Sequence, residues 1–381
     1  MKTVCKLNQC AGCMACTDIC PKQCISIVDD VQYMNAIINQ EKCINCNLCH
    51  KVCGQNNPAE LQKPLEWYQG WAKDEIRGKS SSGGLASALQ HSFINNGGVV
   101  AACKLIEDDY KFVIARTIEE LEGFAGSKYV KSNPSGIYKE VVSELKNNKR
   151  VLFIGLPCQV SSMKNYVEEK YQNNLYLIDL ICHGTPSIKI LRKALKEYGT
   201  DINNCKEILF RRNDRFNVEH DLKYLVPDGV QDFYTKAFLK GIDYTDNCYS
   251  CHYATDSRVG DIMLGDSWGS ELIDELPKGL SLIFVQSKKG KELLQMADVV
   301  LKDVDLKKAK IINTQLCHPT EITIEHDVFF KHFVKGDSFK FSVTMAWPKE
   351  CYKQEIKHIL DKVGLYAQLR KFKNFLHVRG G

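Results

Sequence analysis

The sequence predicts an α/β body with a partly parallel sheet, preceded by a small α+β module built around cysteine. Three observations carry this. Cysteines come in two identically spaced sets within the first 56 residues, strand and helix patterns alternate between residues 151 and 198, and 381 residues are too many for the small module alone. The predicted division is a cysteine module at 1–56, a linker at 57–66, the first part of the body at 67–149, its second part at 150–330, and a basic helical extension at 331–381.

With 44% hydrophobic and 25% charged residues, the chain can bury a sizeable core. A net charge of +5, from 51 basic and 46 acidic side chains, is too mild for a nucleic-acid binder. The 18 cysteines are the anomaly. Met1-Lys2-Thr3-Val4-Cys5 shows no basic segment followed by an apolar run, and no stretch has the length of a membrane span. A cytoplasmic location is therefore expected, where clustered cysteines bind metal more often than they pair as disulfides.

Cys10, Cys13, Cys16 and Cys20 stand in C-x2-C-x2-C-x3-C spacing, followed by Pro21. Cys43, Cys46, Cys49 and Cys53 repeat it, with Gly54 in the place of the proline. Three thiolates two residues apart wrap a loop around three irons of a 4Fe-4S cubane, and the fourth reaches the other copy's cluster. The expected ligand sets are Cys10, Cys13, Cys16 and Cys53 for one cluster, and Cys43, Cys46, Cys49 and Cys20 for the other. Zinc, usually held by two separated cysteine pairs, is the weaker reading. Residues 5–54 resemble bacterial-type two-cluster ferredoxins. Cys5 and Cys24 fall outside the repeat and read as free thiols.

Beyond the linker, Trp67–Ala72 reads as a strand. Lys79-Ser80-Ser81-Ser82-Gly83-Gly84 then precedes a helical Leu85–Gln90. Unpaired amides at such a helix start favour a phosphate, and a plain serine-capped helix is the alternative. Val99–Cys103 reads as a strand and residues 134–149 as a helix. Val151–Ile154 is strand, Gly155–Cys158 turn, Gln159–Lys170 helix, Leu175–Cys182 strand and Ser187–Tyr198 helix, which implies parallel strands with helical crossovers. Cys158 and Cys182 then sit at the carboxyl ends of their strands, the edge where open α/β sheets bind ligands. Cys248-Tyr249-Ser250-Cys251 supplies two more thiols, so a third 4Fe-4S cluster on Cys158, Cys182, Cys248 and Cys251 is expected. Structural zinc and metal-free buried cysteines are the alternatives. His183 and His252 stand beside these cysteines, as substitute ligands or bystanders. Leu282–Val285 reads as a strand. Residues 350–379 interleave Lys353, Lys357, Lys362, Arg370, Lys371, Lys373 and Arg379 with apolar residues, an amphipathic helix that packs terminally or docks on an acidic redox partner or an anionic membrane surface.

Several short motifs follow the cysteine module in order: Ser81-Ser82-Gly83-Gly84, Gly126-Ser127-Lys128-Tyr129, Gly155-Leu156-Pro157-Cys158-Gln159, Cys182-His183-Gly184, Cys248-x2-Cys251 and Gly265-Asp266-Ser267-Trp268. On these the chain, up to about Trp268, resembles the family of coenzyme F420 hydrogenase and dehydrogenase beta subunits. The resemblance implies an iron–sulfur flavoprotein oxidoreductase carrying FAD, which moves electrons between clusters and flavin and exchanges hydride with coenzyme F420 or another organic substrate. It implies FAD phosphates near Ser81, Ser82, Gly83 and Gly84 with Lys128 as cationic partner, and it supports the third cluster. Arg211, with Arg212 and Asp214, is expected to face the cofactor or substrate, or to form a solvated charge cluster. Asp261 and Asp266 read as turn or cap residues. Lys128 and His183 are the candidate proton donors. The expected partner is a redox protein, either a ferredoxin or an enzyme subunit. The alternatives are an electron-relay subunit of a larger complex without substrate chemistry of its own, and a sensory cluster protein.

Overall fold

The computed structural model describes residues 2–366. The amino-terminal module pairs β1 (Lys2–Thr3), β2 (Ile25–Asp29) and β3 (Met34–Ile38) in the order β1-β3-β2, with short helices at Ala15–Ile19 and Leu48–Val52. The body strands are β4 (Glu66–Ala72), β5 (Val99–Ile106), β6 (Asp109–Ala115), β7 (Val151–Gly155), β8 (Leu175–Leu180), β9 (Ile208–Leu209), β10 (Glu219–His220), β11 (Lys223–Tyr224), β12 (Ile262–Asp266), β13 (Ser281–Val285) and β14 (Val299–Lys302). Three of them, β9, β10 and β11, form a small separate sheet. The others join in one eight-stranded sheet of order β14-β4-β13-β12-β8-β7-β5-β6.

Its centre, β12-β8-β7-β5, is parallel, and both flanks are antiparallel. Period-two alternation explains the layers. Val151, Phe153, Leu175 and Leu177 pack with helices Ile137–Lys146 and Pro157–Tyr166 on one face. Leu152, Ile154, Tyr176 and Ile178 pack with helices Leu85–Asn95 and Lys288–Met296 on the other. Covered on both faces, β7, β8 and β13 read as the near-continuous apolar runs typical of buried strands.

The expected strand–helix alternation is present, but β8 stops at Leu180 rather than at Cys182. The helix expected over 159–170 spans Pro157–Tyr166, because Val167 turns extended and accepts the chain into a 3-10 turn at Glu169–Asn174. Cys158 thus lies in the first helical turn rather than in the preceding loop. Residues 67–149 and 150–330 interleave in one sheet, with β4 lying between β13 and β14.

The carboxyl-terminal boundary at 331 falls inside helix Ile324–Phe333. This helix and Phe339–Ala346 belong to the core: Phe329, Phe330, Phe339 and Val343 pack against Leu191, Leu195 and Tyr234. Helix Pro348–Lys362 buries Cys351 and Gln354 and leaves Tyr352, Ile356 and Ile359 exposed. Arg370, Lys371, Lys373 and Arg379 lie outside the described residues. No described helix is long and apolar enough to cross a membrane.

Candidate metal centres and an adjoining cavity

The two cysteine loops of the module share one backbone path. Gly12 and Asn45 are left-handed at equivalent positions, as are Met14 and Asn47 just before the two short helices. In each loop an amide points at the first sulfur: Gly12 N–H donates to Cys10 Sγ and Asn45 N–H to Cys43 Sγ, both at 3.4 Å. Cys53 lies among Cys10 and Cys13, and Cys20 is felt by Cys49 together with Cys43 and Cys46. The fourth cysteine of each copy therefore sits with the other copy's three. The first set is buried throughout, whereas Cys43 and Cys49 are half-buried and Cys46 is exposed.

Cys5 and Cys24 are closer to these sets than free thiols need be. Cys24 Sγ is 3.4 Å from Cys20 Sγ. The Cys5 thiol donates toward Cys10 and Cys53, which lowers Cys53 to about 6 and pushes Cys5 up. Nothing in their spacing announces this, because both contacts are made by the folded loops.

The module meets the body on helix Pro157–Tyr166. Ser162 Oγ donates to Cys13 Sγ at 3.1 Å and accepts from Gly54 N–H at 3.3 Å. The Tyr253 hydroxyl donates to Gly54 O at 2.9 Å. A Cβ at Gly54 would stand 3.0–3.2 Å from the oxygens of Tyr253, Ser162 and Ser161. This explains why the repeat departs from proline here: the ring would not fit, and proline has no N–H to donate. The linker is pinned too, with Ala59 N–H on Ser161 Oγ and Gln62 paired to Arg258.

One helical turn before Ser162 stands Cys158. Because β7 and β8 are parallel neighbours, Cys158 and Cys182 come together at one sheet edge. The turn Asp246–Ser250 brings Cys248 and Cys251 to them. Cys158 feels the charges of Cys251 and Cys182, and Cys182 those of Cys248 and Cys251. Burial raises the Cys182 thiol to about 12 and Cys158 well above its ordinary value. Thr185, Thr245 and Asn247 place polar groups 3.7–4.0 Å from Cys248 Sγ. Buried Arg258, which donates to Tyr253 O and Met263 Sδ, fixes the loop after Cys251. Among the described residues, one trio of candidate ligands, Cys205, His220 and Asp221, has all its ligand atoms within 4.8 Å of one another. The sulfurs of the four-cysteine sets are spread more widely.

A cavity of about 550 Å³ opens at the carboxyl ends of β7, β8 and β12, beside Ala102 and Cys103 in the middle of β5, and Cys182 is part of its wall. Helix Leu85–Asn95 starts at its rim behind Gly84, which is left-handed, and no side chain caps the helix. The first-turn amides therefore offer donors to an anion. The serine hydroxyls serve the frame instead. Ser81 Oγ accepts from Ser127 N–H at 2.9 Å, and Ser82 Oγ donates to Leu280 O at 3.0 Å. Gly83 is required by packing, since a Cβ would stand 2.4 Å from Gly70 O. Lys128 lines the cavity, but its Nζ donates to the carbonyls of Phe124, Ala125 and Gly126 at 2.6–2.9 Å, and burial lowers its pKa to about 8.

Arg211 is the cavity's buried cation. It forms two hydrogen bonds to Asp266 at 2.9 and 2.5 Å and donates to Ser81 O. Its guanidinium lies over Phe216 and Trp268, 5.0 and 5.4 Å from the ring centroids. Tyr129 stacks on Phe238 at 4.1 Å. Asp266 is thus an ion-pair partner rather than a cap. Asp261 is structural, accepting from Leu177 N–H and Ser287 Oγ. Arg212 pairs with Glu219 at 2.8 Å and, like Asp214, is not part of the cavity wall. His183 is exposed to the cavity, and the protein crowding it lowers its pKa. His252 is exposed at the surface.

Grouped thiols beside an aromatic-walled cavity at the ligand edge of an α/β sheet are the arrangement a redox protein calls for. The family is a particular one. Residues 67–137 match the amino-terminal model of the coenzyme F420 hydrogenase/dehydrogenase beta subunit, and residues 148–308 match its carboxyl-terminal model. The chain belongs to the family of coenzyme F420 hydrogenase/dehydrogenase beta subunits.

Among its relatives is the coenzyme F420-dependent sulfite reductase of Methanocaldococcus jannaschii, 22% identical over 93% of this chain and 60% of that protein. A subunit of the F(420)H(2) dehydrogenase of Methanosarcina mazei is 22% identical over 75% of this chain and 82% of that one. The chain spans only about 60% of the sulfite reductase's length. A solved F420-reducing [NiFe] hydrogenase complex from Methanosarcina barkeri overlays 67% of this chain and 88% of its own, with TM-score 0.49 and 19% identity.

Proposed function

We propose that this chain is an iron–sulfur flavoprotein oxidoreductase that passes electrons between three 4Fe-4S clusters and FAD, and exchanges hydride with coenzyme F420 or another organic substrate. The observation that carries the reading is the shared wall: Cys182 belongs both to the four-cysteine set and to the cavity. The thiol spacing supports cubanes over single zinc ions. Zinc is usually held by two separated cysteine pairs, whereas each set of the module has four cysteines in one C-x2-C-x2-C-x3-C run.

The order of the sites supports a route. The set with exposed Cys46 faces a redox partner, the buried set with Cys53 comes next, and Ser162 and Cys158 on one helix lead to the cavity. Clusters exchange single electrons and a bound flavin joins these to two-electron hydride chemistry. The protein's own residues bind and position. First-turn amides of Leu85–Asn95 hold the phosphates, Arg211 and Asp266 fix the polar wall, and Trp268, Phe216 and Tyr129 exclude water. His183 lines the cavity, where crowding lowers its pKa, and is the candidate proton carrier. Lys128 serves the 124–126 loop rather than the phosphates.

Anaerobic purification with flavin and metal analysis tests this. The expected result is a yellow-brown chain with releasable FAD and about twelve irons. Iron without flavin refutes the flavoprotein reading and leaves the electron-relay alternative. About eight irons and one zinc refutes the third cluster.

A further inference from the structure

Lys131 stands between the module and the body with its side chain buried, 8% exposed. Its backbone N–H donates to Pro186 O at 2.9 Å, which fixes it beside the loop following Cys182. Its Nζ crosses to the module and donates to Ala11 O at 3.2 Å, and its stem packs on Gly12, both residues of the loop between Cys10 and Cys13. Among the described residues it forms no ion pair with a carboxylate. The sulfurs of Cys10 on the module side and of Cys158, Cys182 and Cys251 on the body side lie within range of its charge. The outer set is different: Cys46 is exposed, and Cys43 and Cys49 are only half-buried.

A buried ammonium with one carbonyl acceptor is costly unless anions surround it. Clusters held by thiolates are such anions, and each gains a negative charge when it accepts an electron. We propose that Lys131 is the shared counter-ion of the two buried cluster sites, stabilising the reduced form of both and screening the repulsion between electrons on adjacent centres. This rests on the three-cluster reading. Lys131 is a positioning residue, acting on the centres by its field.

The test uses the whole chain, prepared anaerobically as wild type, Lys131→Met and Lys131→Arg, with iron counted and each cluster's potential measured by EPR-monitored titration. Lys131→Met is expected to shift the reduction equilibrium of both buried clusters about tenfold toward the oxidised form, ~59 mV for a one-electron couple. The outer cluster stays unmoved and Lys131→Arg stays near wild type. Potentials unmoved in Lys131→Met, or moved equally in Lys131→Arg, overturn the proposal. If Lys131→Met fails to load a buried site, loading by Lys131→Arg supports a need for charge. Failure of both variants means a packing role and overturns it. A wild type with fewer than about twelve irons sinks the three-cluster reading and this proposal with it. Twelve irons with unmoved potentials sink this proposal alone.

Discussion

Replacing Arg211 by methionine removes the guanidinium but keeps much of the stem's volume. Two hydrogen bonds to Asp266 and the donor to Ser81 O go with it. Breaking a fully buried ion pair by deleting one partner costs about 3–5 kcal/mol. The Asp266 side chain is 25% exposed, so water recovers part of the loss and the low end, ~3 kcal/mol, applies. At roughly 2.1 cal/mol/K of unfolding entropy per residue, 381 residues give ~0.8 kcal/mol/K, and the expected fall in Tm is about 4 °C. The assay is thermal unfolding by circular dichroism at one scan rate, for Arg211→Met, Asp266→Asn and the double variant. The double should be less destabilised than the sum of the singles by about 2 kcal/mol, since neither charge is then stranded. Additivity within ~0.5 kcal/mol would show that the two side chains do not act as a pair.

Cys182→Ala is expected to lose about four of twelve irons, while Cys205→Ala keeps them all; an unchanged iron count in Cys182→Ala removes Cys182 from the ligand set. Ser162→Ala deletes the hydroxyl 3.1 Å from Cys13 Sγ, and a lost hydrogen bond to a cluster sulfur lowers its potential; a potential that stays or rises refutes that role. Asp243 is fully buried, neither carboxylate oxygen has a hydrogen-bond partner, and burial raises its pKa to about 8. The folded chain therefore keeps this proton above the pH where the unfolded chain releases it, so stability falls as pH rises from about 4 to about 8 and then levels. Comparing Tm across that range, Asp243→Asn should flatten the fall, and identical slopes would show that Asp243 is not its source.

The legible parts of the fold were those set by local rules. The two cysteine runs announce their loops by spacing, and the apolar runs of β7 and β8 announce buried parallel strands. The insertion of β4 between β13 and β14 joins segments some 200 residues apart through backbone hydrogen bonds, which leave no mark on composition. At the cavity the serine–glycine run lies at the rim, where its hydroxyls brace the frame and the uncapped donors belong to the helix behind it. The charge of Lys128 is visible in sequence, whereas the three carbonyls that hold its Nζ are not. The ion pair of Arg211 with Asp266 spans 55 positions and two elements, so neither residue could name its partner. Lys131 carried no signal at all.

Gly54 has a consequence for direction. The module is a doubled motif, and a doubled motif on its own has no front or back. One residue supplies them. With proline at position 21 and glycine at position 54, only one copy can lie flush against Ser161, Ser162 and Tyr253. Turning the module half a revolution would press a ring into those oxygens. The docked half is thereby committed to the interior and the other half to the outside, so a missing side chain gives the whole assembly its orientation.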